Sequence, residues 1–229
     1  MKLNNKRTIL VGLAFLSICA FWQMYDSVVP LILTKTFHMN ETFSGAIMAA
    51  DNILALFLLP FFGSLSDRSH SKIGKRMPFI LFGTGCAVIL MNILPLLDNS
   101  YAAQPSGLKT ASFVIVLGLL LVTMGTYRSP AVALMPDVTP KPLRSRANAI
   151  INLMGAVGGI LYLGVAAVLY PNSKTAGLDH VNYQPLFIVV SAIMFIAIAV
   201  LFPTVKEPKL TAENQALEKQ HPEWNLAQD

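Results

Sequence analysis

Asp26, Asp51 and Arg128 are ionisable side chains set inside long apolar runs. A charge in hydrocarbon is costly, so such groups usually face a bundle interior or an aqueous cavity. A single buried charge can tie helices together through hydrogen bonds. Three of them, of mixed sign and on separate runs, favour a solvated pathway that handles protons or a polar solute. Trp22, Gln23 and Tyr25 precede Asp26. They can stack on a sugar ring and hydrogen-bond its hydroxyls, although Trp and Tyr are also common anchors at a membrane interface. Asn148 and Asn152, four apart, share one helix face. Gly155 and Gly159 have the spacing that lets helices approach closely and read as packing residues.

Other chemistries find little support. No HExxH, GxSxG, CxxC or Walker pattern occurs, so no enzyme is expected. His38, His70, His180 and His221 lack metal-ligand spacing and read as solvated residues of loops or tail. Cys19 and Cys86 lie in apolar runs and read as buried thiols with no disulfide or metal role. No metal site and no cofactor are expected.

The elements that must position these residues are membrane spans. Of the 229 residues 54% are hydrophobic and 13% charged, against about 25% charged in soluble domains. Mean hydropathy is +0.58. A spanning helix needs about 20 mostly apolar residues, and six stretches qualify: about 8–34, 42–64, 77–97, 110–136, 147–170 and 185–204. The fold class expected is an all-α membrane protein whose six transmembrane helices form one bundle over residues 1–205. The first run lacks a small-residue cleavage site and is too long for a signal-peptide core, so it reads as a retained span. Residues 206–229 are polar and read as a flexible or weakly helical tail.

The net charge of +5 reflects basic loops rather than a nucleic-acid partner; the partner in view is the lipid bilayer. Lys2, Lys6, Arg7, Arg68, Lys72, Lys75, Arg76, Lys141, Arg144, Arg146, Lys206, Lys209 and Lys219 fall on one side of the six spans. Only Lys35, Lys109 and Lys174 fall on the other. The basic side is expected to be cytoplasmic and to carry both termini, in the cell membrane. At 1.5 Å per residue, Arg128 lies roughly 12 Å above the cytoplasmic end of its span. Asp26 and Asp51 lie higher, in the outer half.

The stretch GSLSDRSHSKIGKRMPFI, Gly63 to Ile80, joins the second and third spans. Its Gly63, Asp67, Arg68, Gly74, Lys75 and Arg76 resemble the loop signature of the major facilitator superfamily. The spacing from Asp67 to Gly74 is similar to that of the glycoside-pentoside-hexuronide symporters, and more closely to the proton-coupled sucrose transporter group. YRSPAVALMPDVTP and RSRANAIINLMGAVGGI resemble the same group around its fourth and fifth spans. The resemblance implies a twelve-span protein of two six-helix bundles around a central cavity, of which this chain supplies the N-terminal bundle. It places Asp26 and Arg128 on cavity-lining helices and makes 206–229 equivalent to the inter-bundle loop. It implies secondary transport of a sugar or glycoside, with a second six-helix half or another copy of the chain as partner. The alternative is a half that binds substrate or regulates a relative without transporting.

Several positions depart from the pattern. The two sodium-site aspartates of the melibiose branch correspond to Ala55 and Leu59. The span-four aspartate of the sucrose group corresponds to Leu121, and its arginine to Val132. A coupling proton is therefore expected in preference to sodium, with Asp26 and Asp51 as candidates. Pro130 and Pro136 are expected to bend or break the fourth span. Asp137, beyond the end of that span and near Arg144 and Arg146, is expected to form a structural ion pair that mirrors Asp67.

Overall fold

A computed structural model of the chain describes residues 3–178 and 180–225, apart from the side chains of Asn172 and Asn225. Lys2 of the N-terminal basic group and residues 226–229 of the tail lie outside the described residues.

Helix α1 (Asn5–Leu31) starts where the Asn4 side chain accepts the Arg7 N–H at 3.1 Å, which satisfies one free donor of the first turn. It passes Pro30 and widens into a π-turn over Ile32–Thr36. Helix α2 (Glu41–Asp67) is capped in the same way by Asn40, which accepts from Thr42 N–H at 2.8 Å. Then come α3 (Met77–Ala103), α4 (Gly107–Asp137), α5 (Arg144–Leu169), the single turn α6 (Asn172–Thr175), α7 (Gln184–Thr204) and α8 (Glu207–Gln220). Among the described residues there is no strand.

Among the described residues six helices are long and apolar enough to cross a membrane, and each covers one of the six expected stretches, extended at one or both ends. The third shows the largest change, running on to Ala103 rather than stopping near residue 97. Polar residues such as Asp98 and Asn99 continue the helix, because its backbone hydrogen bonds do not depend on apolar side chains, and Asp98 is buried within the bundle. Pro130 and Pro136 do not break α4, which stays helical to Asp137. A helix can lose single backbone donors where neighbouring helices support it.

Helix α1 is the axis of the bundle and packs against α5 and α7. Helix α3 lies between α4 and α7, and α2 rests almost wholly on α4. The α1–α5 contact needs Gly158, because a Cβ there would run into the Leu16 carbonyl. Gly155 is also close, with a Cβ there coming within 2.9 Å of the Cys19 sulfur, whereas Gly159 has ordinary room beside Gln23. The tight pair is thus Gly155 and Gly158, three apart and not four. Helix α4 is fastened to α1 by Tyr127, whose hydroxyl donates to the Ala14 carbonyl at 3.0 Å and also contacts the Ser17 hydroxyl. Cys19 and Cys86 are half-buried free thiols.

The polar tail is more ordered than its composition suggests. Helix α8 folds back under the bundle, where Glu207 and Asn214 are buried. Asn214 Nδ2 donates to the Asp137 carbonyl at 3.1 Å. Helix α8 and the N-terminus thus lie on one face, beside the start of α3.

Candidate functional site

Helices α1, α2 and α4 bring three of the expected pathway residues to one cleft. Trp22, Asp51 and Arg128 line it together with Leu54, Ala55, Leu58, Leu59, Leu121 and Gly125. The Arg128 guanidinium sits 5.5 Å from the centre of the Trp22 ring. A cation over an indole face is held by the ring quadrupole, and here it forms no ion pair among the described residues. Its five N–H donors therefore stay available to a ligand with oxygen acceptors. The contact exists because Trp22 and Arg128 face one another across two packed helices, with Asp51 of α2 lining the same cleft.

Asp51 Oδ1 accepts from the backbone N–H (2.6 Å) and the side chain (2.8 Å) of Asn52, which leaves Oδ2 free among the described residues. Asp26 is exposed on α1 and makes no salt bridge to Arg128. Tyr25 is 1% exposed and stacks on Phe21 and edge-on to Trp22. Gln23 lies beside Gly159 of α5. Asn148 and Asn152 are exposed on α5, apart from the cleft.

A second cluster closes the face that carries the chain ends. Arg76, its side chain 5% exposed, lies at its centre. Its Nε donates to Asp137 Oδ2 at 2.9 Å, its Nη2 to Asp67, and its Nη1 to Ser66 and to the Gly63 carbonyl. Lys75 Nζ bridges the same carboxylates, at 3.3 Å from Asp67 and 3.2 Å from Asp137. Arg68 is exposed. The ion pair expected of Asp137 exists, but its partners are Arg76 and Lys75. Arg144 instead pairs with Glu218 of α8 at 2.9 Å, and Arg146 is exposed and unpaired among the described residues. The fold-back of α8 draws Arg144 away, while the α2–α3 loop reaches across to the end of α4.

Glu207 completes this cluster. Its Oε1 accepts from the Lys75 and Arg76 N–H groups, each at 2.9 Å. Its Oε2 accepts from Arg76 N–H at 3.2 Å and Met77 N–H at 2.9 Å. The carboxylate thereby caps the N-terminus of α3, where orphan donors and the helix dipole favour an anion. Burial raises its pKa above the ordinary 4.5, and the three N–H groups oppose that rise. Gly74 makes the dock fit: its φ is +115°, and a Cβ there would strike the Glu207 side chain. The sequence offered one faint sign of this, an acidic residue just past the last span.

On the opposite face, Asp98 lies inside α3 and is fully buried. His180 Nε2 is 4.0 Å from it and 2.9 Å from Asn99 Oδ1, while Nδ1 is 3.2 Å from the Thr36 hydroxyl. His180 is thus tied into the structure and is not a solvated loop residue.

The chain matches the sequence model of the family described as the Major Facilitator Superfamily over residues 11–225. It is 34% identical over 145 residues to the sucrose transport protein SUC3 of Arabidopsis thaliana, covering 58% of this chain and 24% of that protein. It is 33% identical over 141 residues to the sucrose transport protein SUT3 of Oryza sativa subsp. indica, covering 56% and 28%. The alpha-ketoglutarate permease of Escherichia coli (strain K12) is 26% identical over 179 residues, covering 77% and 38%. The matched stretch spans about a quarter of the sucrose transport proteins and well under half of the permease.

Proposed function

Because this multi-pass membrane chain belongs to the major facilitator superfamily, we propose that it forms the N-terminal six-helix half of a secondary transporter for a sugar or glycoside. The observation that carries this reading is the Arg128 guanidinium, held over Trp22 and without an ion pair among the described residues, in the cleft it shares with Asp51. Guanidinium donors and an indole face suit the hydroxyls and the apolar face of a sugar ring. Two plant relatives with sucrose transport in their names point the same way. The permease keeps other small polar solutes in view.

Protons are the coupling ion in this proposal. Asp51 and Asp26 are the carrier candidates, because Ala55 and Leu59 supply no carboxylate to the cleft. The second wall of the pathway is another six-helix half or a second copy of this chain, set against the exposed faces of α2 and α5. Both termini face the cytoplasm of the cell membrane, as the basic loops favour.

The test is uptake of radiolabelled sucrose and a panel of glycosides into proteoliposomes holding the full chain, with an imposed pH gradient. Uptake that follows the gradient and falls at least tenfold in Arg128→Gln and Asp51→Asn is the expected result. Folded protein that binds none of the panel refutes the sugar reading. Binding without flux favours the other reading, a non-transporting half. Labelling of Ser145→Cys from one side only, in a Cys19→Ser/Cys86→Ser background, tests the orientation.

A further inference from the structure

Two grooves on the face that carries the chain ends do not belong to the cleft or to the charge cluster. The first, of about 430 Å³, opens where the α2–α3 loop, the start of α3, the end of α7 and the start of α8 converge. Its floor is apolar, with Ile73, Met77, Phe202 and Pro203, and its rim carries Lys72, Lys206 and Lys209. The second, of about 350 Å³, shares Lys206 and Lys209 with the first and adds Lys6 and Arg7. Its one carboxylate is Glu213, 3.9 Å from Lys209. Lys72 and Lys206 have no ion-pair partner among the described residues. The nearby N-terminus of α3 does not serve as an anion site, since Glu207 already takes its N–H groups.

The location selects the occupant. Phe202 and Pro203 are among the last residues of a spanning helix, so this floor lies where hydrocarbon gives way to headgroups. Phe202 is 42% exposed there and Ile73 39%. An apolar floor under unpaired lysines is complementary to an acyl chain carrying an anionic phosphate. A soluble anion has no use for the floor, and a zwitterionic headgroup brings a cation against the lysines.

We propose that the groove between α3, α7 and α8 binds an anionic phospholipid, with Lys72, Lys206 and Lys209 around its phosphate and an acyl chain along Ile73, Phe202 and Pro203. Basic pockets of this kind at a membrane surface gain about fivefold in affinity per lysine. The lipid bridges α8 to α3 and α7, so its binding holds the tail helix against the bundle.

The test titrates dioleoyl phosphatidylglycerol into the full chain purified in neutral detergent, with thermal unfolding as readout. Wild type is expected to gain stability saturably, while dioleoyl phosphatidylcholine leaves it unchanged. Lys72→Gln/Lys206→Gln, both exposed and unpaired positions, is expected to melt like wild type without lipid and to need roughly thirtyfold more phosphatidylglycerol. Lys209→Gln, a second variant, is expected to need about fivefold more. Arg146→Gln, which removes a basic residue elsewhere on the same face, is expected to respond as wild type does. An unchanged response in the lysine variants overturns the site. An equal loss in Arg146→Gln overturns it too, because diffuse surface charge then suffices. Saturation by glycerol 1-phosphate at matched concentration overturns the lipid, leaving a soluble anion as the ligand.

Discussion

Replacing Glu207 tests whether the tail helix is held by one side chain. Glu207→Ala leaves the N–H groups of Lys75, Arg76 and Met77 without their acceptor. An unsatisfied buried donor costs about 1–3 kcal/mol, and the low end applies because water enters as the tail lifts. Three donors at about 1 kcal/mol each give about 3 kcal/mol, or roughly 150-fold in the opening equilibrium at about 1.4 kcal/mol per tenfold. Hydrogen exchange of a peptide covering residues 74–80, read by mass spectrometry in detergent, should accelerate by that factor. Glu207→Gln keeps one acceptor oxygen and should cost about 1.4 kcal/mol, a tenfold change. The pH dependence has a definite sign. Burial raises the Glu207 pKa above 4.5, so the folded state binds more protons than the unfolded state between the two values. Docking is therefore strongest below pH 4.5 and weakens as pH rises through the raised value. After correction for intrinsic exchange rates, this dependence should vanish in Glu207→Gln. An Ala variant that exchanges within threefold of wild type would refute the reasoning.

Gly74→Ala should undock the tail without touching Glu207, since it strains a backbone at φ +115° and places a methyl group against that side chain; exchange of the same peptide should rise as in Glu207→Ala. Gly158→Val should lower the melting temperature through overpacking against the Leu16 carbonyl, at a cost of about 1–3 kcal/mol, whereas the same change at Gly164, which has open space, should be nearly silent. Tyr127→Phe removes a hydroxyl bonded to Ala14 and Ser17 and should cost about 1–2 kcal/mol, read as a lower midpoint in detergent denaturation.

The six spans were legible because apolar composition over about 20 residues is a local property that lipid enforces. The Asp67–Arg76 pair was nearly legible too, because both residues stand in one short loop. Glu207 was not, because its partners precede it by some 130 residues and only the fold-back of α8 brings them together. Asp137 shows the same limit: Arg144 is nearer in sequence, yet Arg76, 61 residues away, is its partner in space. Asp98 was passed over because charge implied a loop, although α3 keeps its backbone hydrogen bonds through this position and buries the side chain. In the cleft, the residue types of Trp22 and Arg128 were readable as candidates, but their stacking depends on how α1 and α4 are rotated. Periodicity across such uniformly apolar helices carries little information about rotation.

Helix α2 behaves mechanically like a beam seated on a single support. Only Ser44 and Ser66, near its two ends, are buried. Its middle rests on α4, where Ser129 donates to the Leu59 carbonyl at 2.7 Å and Gly125 faces Leu58. Asp51 rides on this beam and Arg128 on its support, so one seam sets the gauge between the two charges. A shim inserted at that seam, such as a larger residue at position 125, would change their spacing while leaving both side chains intact.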